Sequence, residues 1–270
     1  MNFDQLIFTQ ADGIARICLN APESFNAITG DMVTQLNAAL DICDSDPSVR
    51  VVILSGAGKS FCAGGDLKNM NRIMETSGQS AFADGFRRDM KLVGDAARRI
   101  RRLRVPVIAA VHGPAAGAGC NIALQCDFKI AAQGTKFIEA FVNVGLIPDS
   151  GGAYILSRYL PLSRLNEALM LGKPITAEEA LDAGLINQIV PQEEMEAAAT
   201  ELALKLKAMP ALSLAKIKQL INLSLFTGLD TELEAEEAFQ NQCALSSDFR
   251  EGVQAFAEKR KPNFISEEQK

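Results

Sequence analysis

The chain alternates between short runs with the period of a strand and longer stretches with the period of a helix. Leu6-Ile7-Phe8-Thr9 and Ile14-Ala15-Arg16-Ile17-Cys18-Leu19 flank the turn Ala11-Asp12-Gly13, a pattern that predicts a β-hairpin. Met32, Val33, Leu36, Leu40 and Cys43 then recur at helical spacing, ahead of the apolar run Val49 to Leu54, which reads as a buried strand. A long helix is expected over Ala81 to Leu103. Val105 to Val111 reads as another strand with Pro106 at its start, followed by a helix after Gly117 and a strand over Asp127 to Ala132.

This alternation predicts an α/β core over residues 1–190. Near its end, Thr176-Ala177-Glu178-Glu179 has the form of a capping box, Gly184 of a helix stop, and Leu185 to Val190 of a short strand closed by Pro191. From Gln192 the pattern is helical throughout, broken at Pro210, Gly228 and Gly252. Residues 191–270 are therefore expected to form a helical region docked on the core or on a neighbouring subunit. Within it, Glu232, Glu234, Glu236 and Glu237 read as a solvated helix face.

Composition narrows the function classes. The chain has 270 residues, 48% of them apolar, and a net charge of -6, which argues against a nucleic-acid partner because phosphate neutralisation needs a basic face. Arg87, Arg88, Lys91, Arg98, Arg99, Arg101, Arg102 and Arg104 do form a basic stripe. It is diluted by Asp84, Asp89 and Asp95 and has no interleaved aromatic residues for base stacking. The six cysteines lie mostly in apolar runs without CxxC spacing, so no metal is expected and the thiols read as core residues of a reduced compartment. No apolar run approaches the roughly 18 residues of a membrane span and the start lacks a signal-peptide pattern; a cytoplasmic location and no membrane partner are expected.

Two glycine-rich segments carry the chemistry. Gly56 to Leu67 leaves a buried strand and runs into a helix start, with small residues that let backbone amides approach a ligand and with Asp66 placed to cap the helix. Gly117-Ala118-Gly119 follows a second strand and opens a helix, whose free amides attract negative charge. Neither satisfies a Walker or GxGxxG pattern. Two amide sources converging on one oxygen make an oxyanion hole, so an enolate is the expected charge rather than a nucleotide phosphate.

These segments, together with Leu19 to Ala27, Pro106 to Cys126, Gly145 to Gly152 and the ending Glu251 to Arg260, resemble the crotonase superfamily, the enoyl-CoA hydratase/isomerase group. The resemblance covers nearly the whole chain. It implies a spiral of ββα units with a C-terminal helical region, a homotrimer or a dimer of trimers, and an acyl-CoA thioester substrate, with coenzyme A as part of the substrate and no separate cofactor. Carried over by position, the oxyanion hole comprises the amides of Ala63 and Ala118. Ala27, Lys59, Phe61, Gly64, Gly65, Asp66, Leu67, Ala116 and Gly117 would contact the CoA thioester, and Phe256 and Lys259 would reach it from the tail.

Departures from the family's pattern point to the reaction. Where hydratases carry two glutamates that hold and activate water, this chain has Asn121 and Phe141. Asp149 stands where members that isomerise double bonds carry an acidic residue, and Ala140 to Leu156 is closest to isomerases of double bonds or ring epoxides. One carboxylate in an apolar pocket suffices for that chemistry, because burial raises its pKa toward a useful value. The resemblance therefore implies an acyl-CoA isomerase with Asp149 as acid and base. Open alternatives are water addition or thioester hydrolysis through Asp149, Asp149 as a mere helix cap, and a non-catalytic CoA- or RNA-binding homologue. His112, the single histidine, is expected to make a structural hydrogen bond, and Glu139 to face solvent. Cys62 and Cys120 have no neighbouring base to make either a nucleophile.

Overall fold

The computed structural model describes residues 3–264. β1 (Leu6–Ala11) and β2 (Ile14–Leu19) form the expected hairpin, in register from Leu6 opposite Leu19 to Ala11 opposite Ile14, with Asp12 and Gly13 at positive φ in the turn. The first helix, α1 (Gly30–Ser45), starts where the Thr29 hydroxyl accepts the Met32 amide. Next come β3 (Val51–Gly56) and α2 (Leu67–Arg102), which Asp66 caps by accepting the Asn69 amide. Gly78, at φ 79°, breaks this helix in two: the second part matches the helix expected over Ala81 to Leu103, and the first, before the break, goes beyond that expectation.

The remaining elements are β4 (Val107–Val111), β5 (Pro114–Ala116), α3 (Gly117–Gln125), β6 (Phe128–Ala132), β7 (Lys136–Ile138), α4 (Gly152–Leu156), α5 (Leu162–Leu171), β8 (Ile175–Thr176), α6 (Ala177–Asp182), β9 (Gln188–Val190), α7 (Met195–Ala208), α8 (Ala211–Leu225), α9 (Leu229–Ala244) and α10 (Ser247–Ala257). The capping box at Thr176 is present in both directions, and Gly184 has φ +70°. β9 is shorter than the predicted Leu185 to Val190, because the amides of Leu185 and Ile186 both turn back to the Ala180 carbonyl and close α6.

A six-stranded sheet runs in the order β1-β2-β3-β4-β6-β9, parallel except for the hairpin, beside a three-stranded sheet β5-β7-β8. The central turns of the chain visit the large sheet, then the small one, then a helix. β4, β5 and α3 make one turn, β6, β7 and the helical turn Ala140–Val144 the next. The ββα spiral expected from the sequence is the observed architecture. One face of the large sheet packs on α7 through Met195, Ala199, Ala203 and Leu206, a spacing that puts all four on one side of the helix. Against α2 pack α9 and α10, so the helical region docks on its own chain.

The C-terminal part of the basic stripe is neutralised from within the chain. Arg98 and Arg102 pair with Asp230, Arg99 with Asp41, and Arg101 is buried against Asp127, Asn222 and the Gln125 carbonyl. Lys218 joins this cluster, donating to Asp127 at 2.6 Å and to the Ile100 and Val105 carbonyls. Among the described residues no helix is long and apolar enough to cross a membrane.

Asn26 braces the two loops that meet above the sheet. Fully buried, it donates to the carbonyls of Ala57, Ser60 and Phe61 at 2.8, 2.8 and 3.2 Å, and accepts the Ala21 amide at 2.9 Å. Each partner left unpaired in the interior costs about 1–3 kcal/mol. Asn26→Ala is expected to lower unfolding stability by roughly 3 kcal/mol or more, measured by urea denaturation; a change below about 1 kcal/mol would contradict this bracing.

Candidate active site

Close backbone approach builds the site. After β3, Cys62 bridges to Ala115 of β5, and the Ala116 amide donates to the Cys62 carbonyl at 2.9 Å. The next residue but one, Gly64, has φ +84°, and a Cβ on it would lie 2.8 Å from the Ala116 oxygen. Gly119, on α3, would place a Cβ 2.4 Å from the Cys62 sulfur. Only glycine lets the β3–α2 loop touch the start of α3 this closely. With no side-chain cap on Ala116, the first-turn amides of α3, Ala118 among them, are left without intrahelical acceptors.

One of the two expected donors is different. The Ala63 amide donates to the Phe25 carbonyl at 3.0 Å and is not free for a ligand. Gly65 follows, its amide without a hydrogen-bond acceptor among the described residues, and it lines the same cavity as Ala118. Gly65 and Ala118 therefore offer two amides to the same cavity.

That cavity has a volume of about 200 Å³. Asp149, Gly65 and Ala118 share it with a predominantly apolar wall that includes Met70, Ile73, Phe82, Phe86, Phe141 and Leu146. Of the other residues singled out by sequence, Ala63, Gly64, Asp66, Leu67 and Gly117 line it as well. Ala27, Lys59, Phe61, Ala116, Phe256 and Lys259 do not. Phe61 lies wholly in the core and Ala27 is buried, Ala116 presents its carbonyl to Gly64, and Lys59, Phe256 and Lys259 are exposed.

Asp149 is not a helix cap. α4 is preceded by Gly151 and receives no side-chain capping bond, while the Asp149 carboxyl accepts the Ser150 hydroxyl at 2.8 Å. It is 6% exposed, and burial pushes its pKa up to about 7, against the opposing pull of hydrogen bonds from Ser150 and Gln240. A carboxyl titrating there can both take and return a proton near neutral pH.

Two more carboxyls lie close by, where the sequence placed solvent. Glu139 is 1% exposed, and accepts from the Asn121 amide at 3.3 Å. Burial first, then the Asp149 charge, raises its pKa to about 8. Glu236, read as part of a solvated face, is 7% exposed and accepts the Gly151 amide on both oxygens at 3.1 Å. Burial and the charges of Asp149, Glu232 and Glu139 raise it to about 9. The glutamate-rich sequence of α9 gives no sign that one of its carboxyls turns inward, because the partner, Gly151, is 85 residues away. His112 makes the structural bond expected of it, Nε2 to the Gly58 carbonyl at 3.0 Å. Cys62 and Cys120 are buried and their thiols are pushed well up, Cys62 to about 12, which removes both as nucleophiles.

Carboxyls whose pKa is raised on folding bind protons more tightly in the native state than in the unfolded one. Their stabilising protonation is complete below the ordinary range near pH 4 and is lost as pH rises through about 7 for Asp149, 8 for Glu139 and 9 for Glu236. The difference in melting temperature between the wild-type protein and Glu139→Gln/Glu236→Gln should therefore move in favour of the variant between pH 5 and 9, by calorimetry. A difference that stays flat would contradict the burial of these groups.

Residues 9–267 match the family model described as Enoyl-CoA hydratase/isomerase. The chain is 39% identical over 252 residues to a 1,2-epoxyphenylacetyl-CoA isomerase of Escherichia coli, covering 93% of this chain and 95% of the relative. It is 34% identical over 264 residues to a trans-2-decenoyl-[acyl-carrier-protein] isomerase of Streptococcus mutans, covering 98% and 99%. A probable enoyl-CoA hydratase of Rhodobacter capsulatus is 36% identical over 267 residues, covering 98% and 99%. Among solved structures, an enoyl-CoA hydratase from Mycobacterium avium subsp. paratuberculosis superposes with a TM-score of 0.87 at 32% identity, over 98% of this chain and 100% of that one.

Proposed function

The chain belongs to the enoyl-CoA hydratase/isomerase family, and within that family we propose that it isomerises an acyl-CoA thioester through an enolate. Asp149 removes a proton from C2 or C4, the electron pair moves into the conjugated system, and the negative charge develops on the thioester oxygen. That oxygen is held by the amides of Gly65 and Ala118. Asp149 then returns the proton to the other carbon, so no atom is gained or lost and no further cofactor is needed. The observation that carries the reading is that Asp149 shares one cavity with two free amides, while Asn121 and Phe141 stand where a hydratase needs its glutamates.

Two of the relatives named above are isomerases, one of a CoA thioester and one of an acyl-carrier-protein thioester. The shared thioester is the group the two amides fit. Relatives named hydratases at similar identity favour a second reading, in which Asp149 activates water for addition or hydrolysis. Against it, the Asn121 amide group is tied to the Asp149 carbonyl at 2.8 Å and Phe141 packs beside Gly117, which leaves no second carboxyl from those positions to orient a water. We also propose a trimer or dimer of trimers, consistent with the exposed apolar side chains of Met170, Leu171, Leu212, Leu220 and Leu223 on α5 and α8.

Incubating the protein with enoyl-CoA and aryl-acyl-CoA thioesters in deuterated water should place deuterium at the α or γ carbon without net hydration. Asp149→Asn is expected to lower kcat by about 100-fold or more, as removal of a general base does. A 3-hydroxyacyl product, or full activity in the variant, would contradict the proposal. Because the base must start ionised, kcat/KM should rise as pH increases through about 7; a profile flat from pH 5 to 9 would point to another base.

A further inference from the structure

We infer that Glu236 and Gln240, on α9 of the helical region, are positioning residues that aim Asp149 into the cavity by clamping the loop 147–151. Resting on the assignment of Asp149 as acid and base, this adds a dependence of the core's chemistry on a helix more than 80 residues away in sequence.

The loop needs holding. Ser150 has φ 54° and Gly151 φ 73°, two successive left-handed residues, the first of them not glycine. Such a conformation is strained for a residue with a Cβ and persists only where the surroundings enforce it. From one side α3 supplies amides: Asn121 Nδ2 donates to the Asp149 carbonyl at 2.8 Å, and Gln125 Nε2 to the Ser150 carbonyl at 2.8 Å. From the other side α9 completes the set. The Gln240 side chain takes both main-chain groups of one residue, accepting the Ile147 amide at 3.0 Å and donating to the Ile147 carbonyl at 2.8 Å. Glu236 accepts the Gly151 amide on both oxygens.

These side chains have no exposure to spare for another task. Asn121 and Gln125 are fully buried, Gln240 is 1% exposed and Glu236 7%. None of them lines the cavity, so each acts on a substrate only through the loop. The space is also exact to the atom: a Cβ on Gly152 would sit 2.3 Å from the Asn121 amide nitrogen, and one on Gly151 2.7 Å from Leu229 of α9 and 2.8 Å from Gln125. Asn121 thereby has a task at the position where a hydratase carries a catalytic glutamate: it fixes the main chain of the residue that replaces it.

Glu236→Leu, Gln240→Leu and Glu236→Gln, beside Asp149→Asn, test this with trans-3-hexenoyl-CoA as substrate and butyryl-CoA as an unreactive ligand. The two leucine variants should lose about 30-fold in kcat, since a displacement of about 1 Å at a catalytic group costs up to 100-fold. Their KM and butyryl-CoA affinity should stay within about threefold of wild type, because the amides of Gly65 and Ala118 are untouched. Glu236→Gln keeps one acceptor oxygen and should recover most of the lost rate. Amide hydrogen exchange on the wild-type protein gives an arm independent of turnover and of variant folding: Ile147 and Gly151 should be protected as strongly as the interior of α3. Leucine variants that retain kcat while Asp149→Asn loses it would overturn the clamp, as would exchange at Ile147 and Gly151 at the rate of an open loop. Asp149→Asn as active as wild type would instead overturn the acid/base assignment, leaving the exchange result to judge the clamp by itself.

Discussion

Close approach of two chain segments at glycines, which no other residue would allow, is the constraint on which the rest depends. The loop after β3 and the start of α3 come from successive turns of the spiral, and they meet because Gly64 and Gly119 offer no Cβ where the Ala116 oxygen and the Cys62 sulfur stand. The Cys62 carbonyl and the Ala116 amide lock the meeting with a hydrogen bond of 2.9 Å. As a result, amides from two distant segments open on one cavity. Fixed dipoles of this kind need no reorganisation when charge develops, which is why they are effective catalytic groups.

The second feature follows from what surrounds that cavity. Apolar side chains from α2 and from the turn at Phe141 line that cavity, and among the described residues the buried carboxyls Asp149, Glu139 and Glu236 have no cationic partner. Desolvation therefore dominates their titration. Burial raises Asp149, Glu139 and Glu236 alike, the Ser150 hydroxyl pulls Asp149 back down by donating to it, and the Asp149 charge adds to the rise of the two glutamates. Of the three, Asp149 alone lines the cavity. A carboxyl raised by burial and open to the cavity is what proton transfer in the proposed isomerisation requires.

Local pattern carried much of the architecture. The hairpin, α1, the strands β3, β4 and β6 and the capping box at Thr176 all rest on residues close in sequence, and all are where their periodicity puts them. The ends of α2 and β9 were less legible. Gly78 interrupts one helix's repeat, and Ala180 draws Leu185 and Ile186 away from the strand. At the site, the glycine-rich segments and Asp149 could be found from sequence, whereas the choice between the Ala63 and Gly65 amides could not, because it turns on the Phe25 carbonyl, which reaches in from the segment before α1. Glu139 and Glu236 escaped for the same reason: polarity predicts exposure unless a distant partner is known, and their partners are Asn121 and Gly151.

In the proposed reaction two main-chain amides polarise a thioester carbonyl in this cavity. The vibrational frequency of a carbon-13-labelled thioester carbonyl, recorded for butyryl-CoA bound to the protein by isotope-edited infrared difference spectroscopy, tests it most directly. The account predicts a band shifted to lower frequency than that of the same thioester in water, the signature of a C=O bond weakened by two strong donors. A bound carbonyl at or above its aqueous frequency would contradict it.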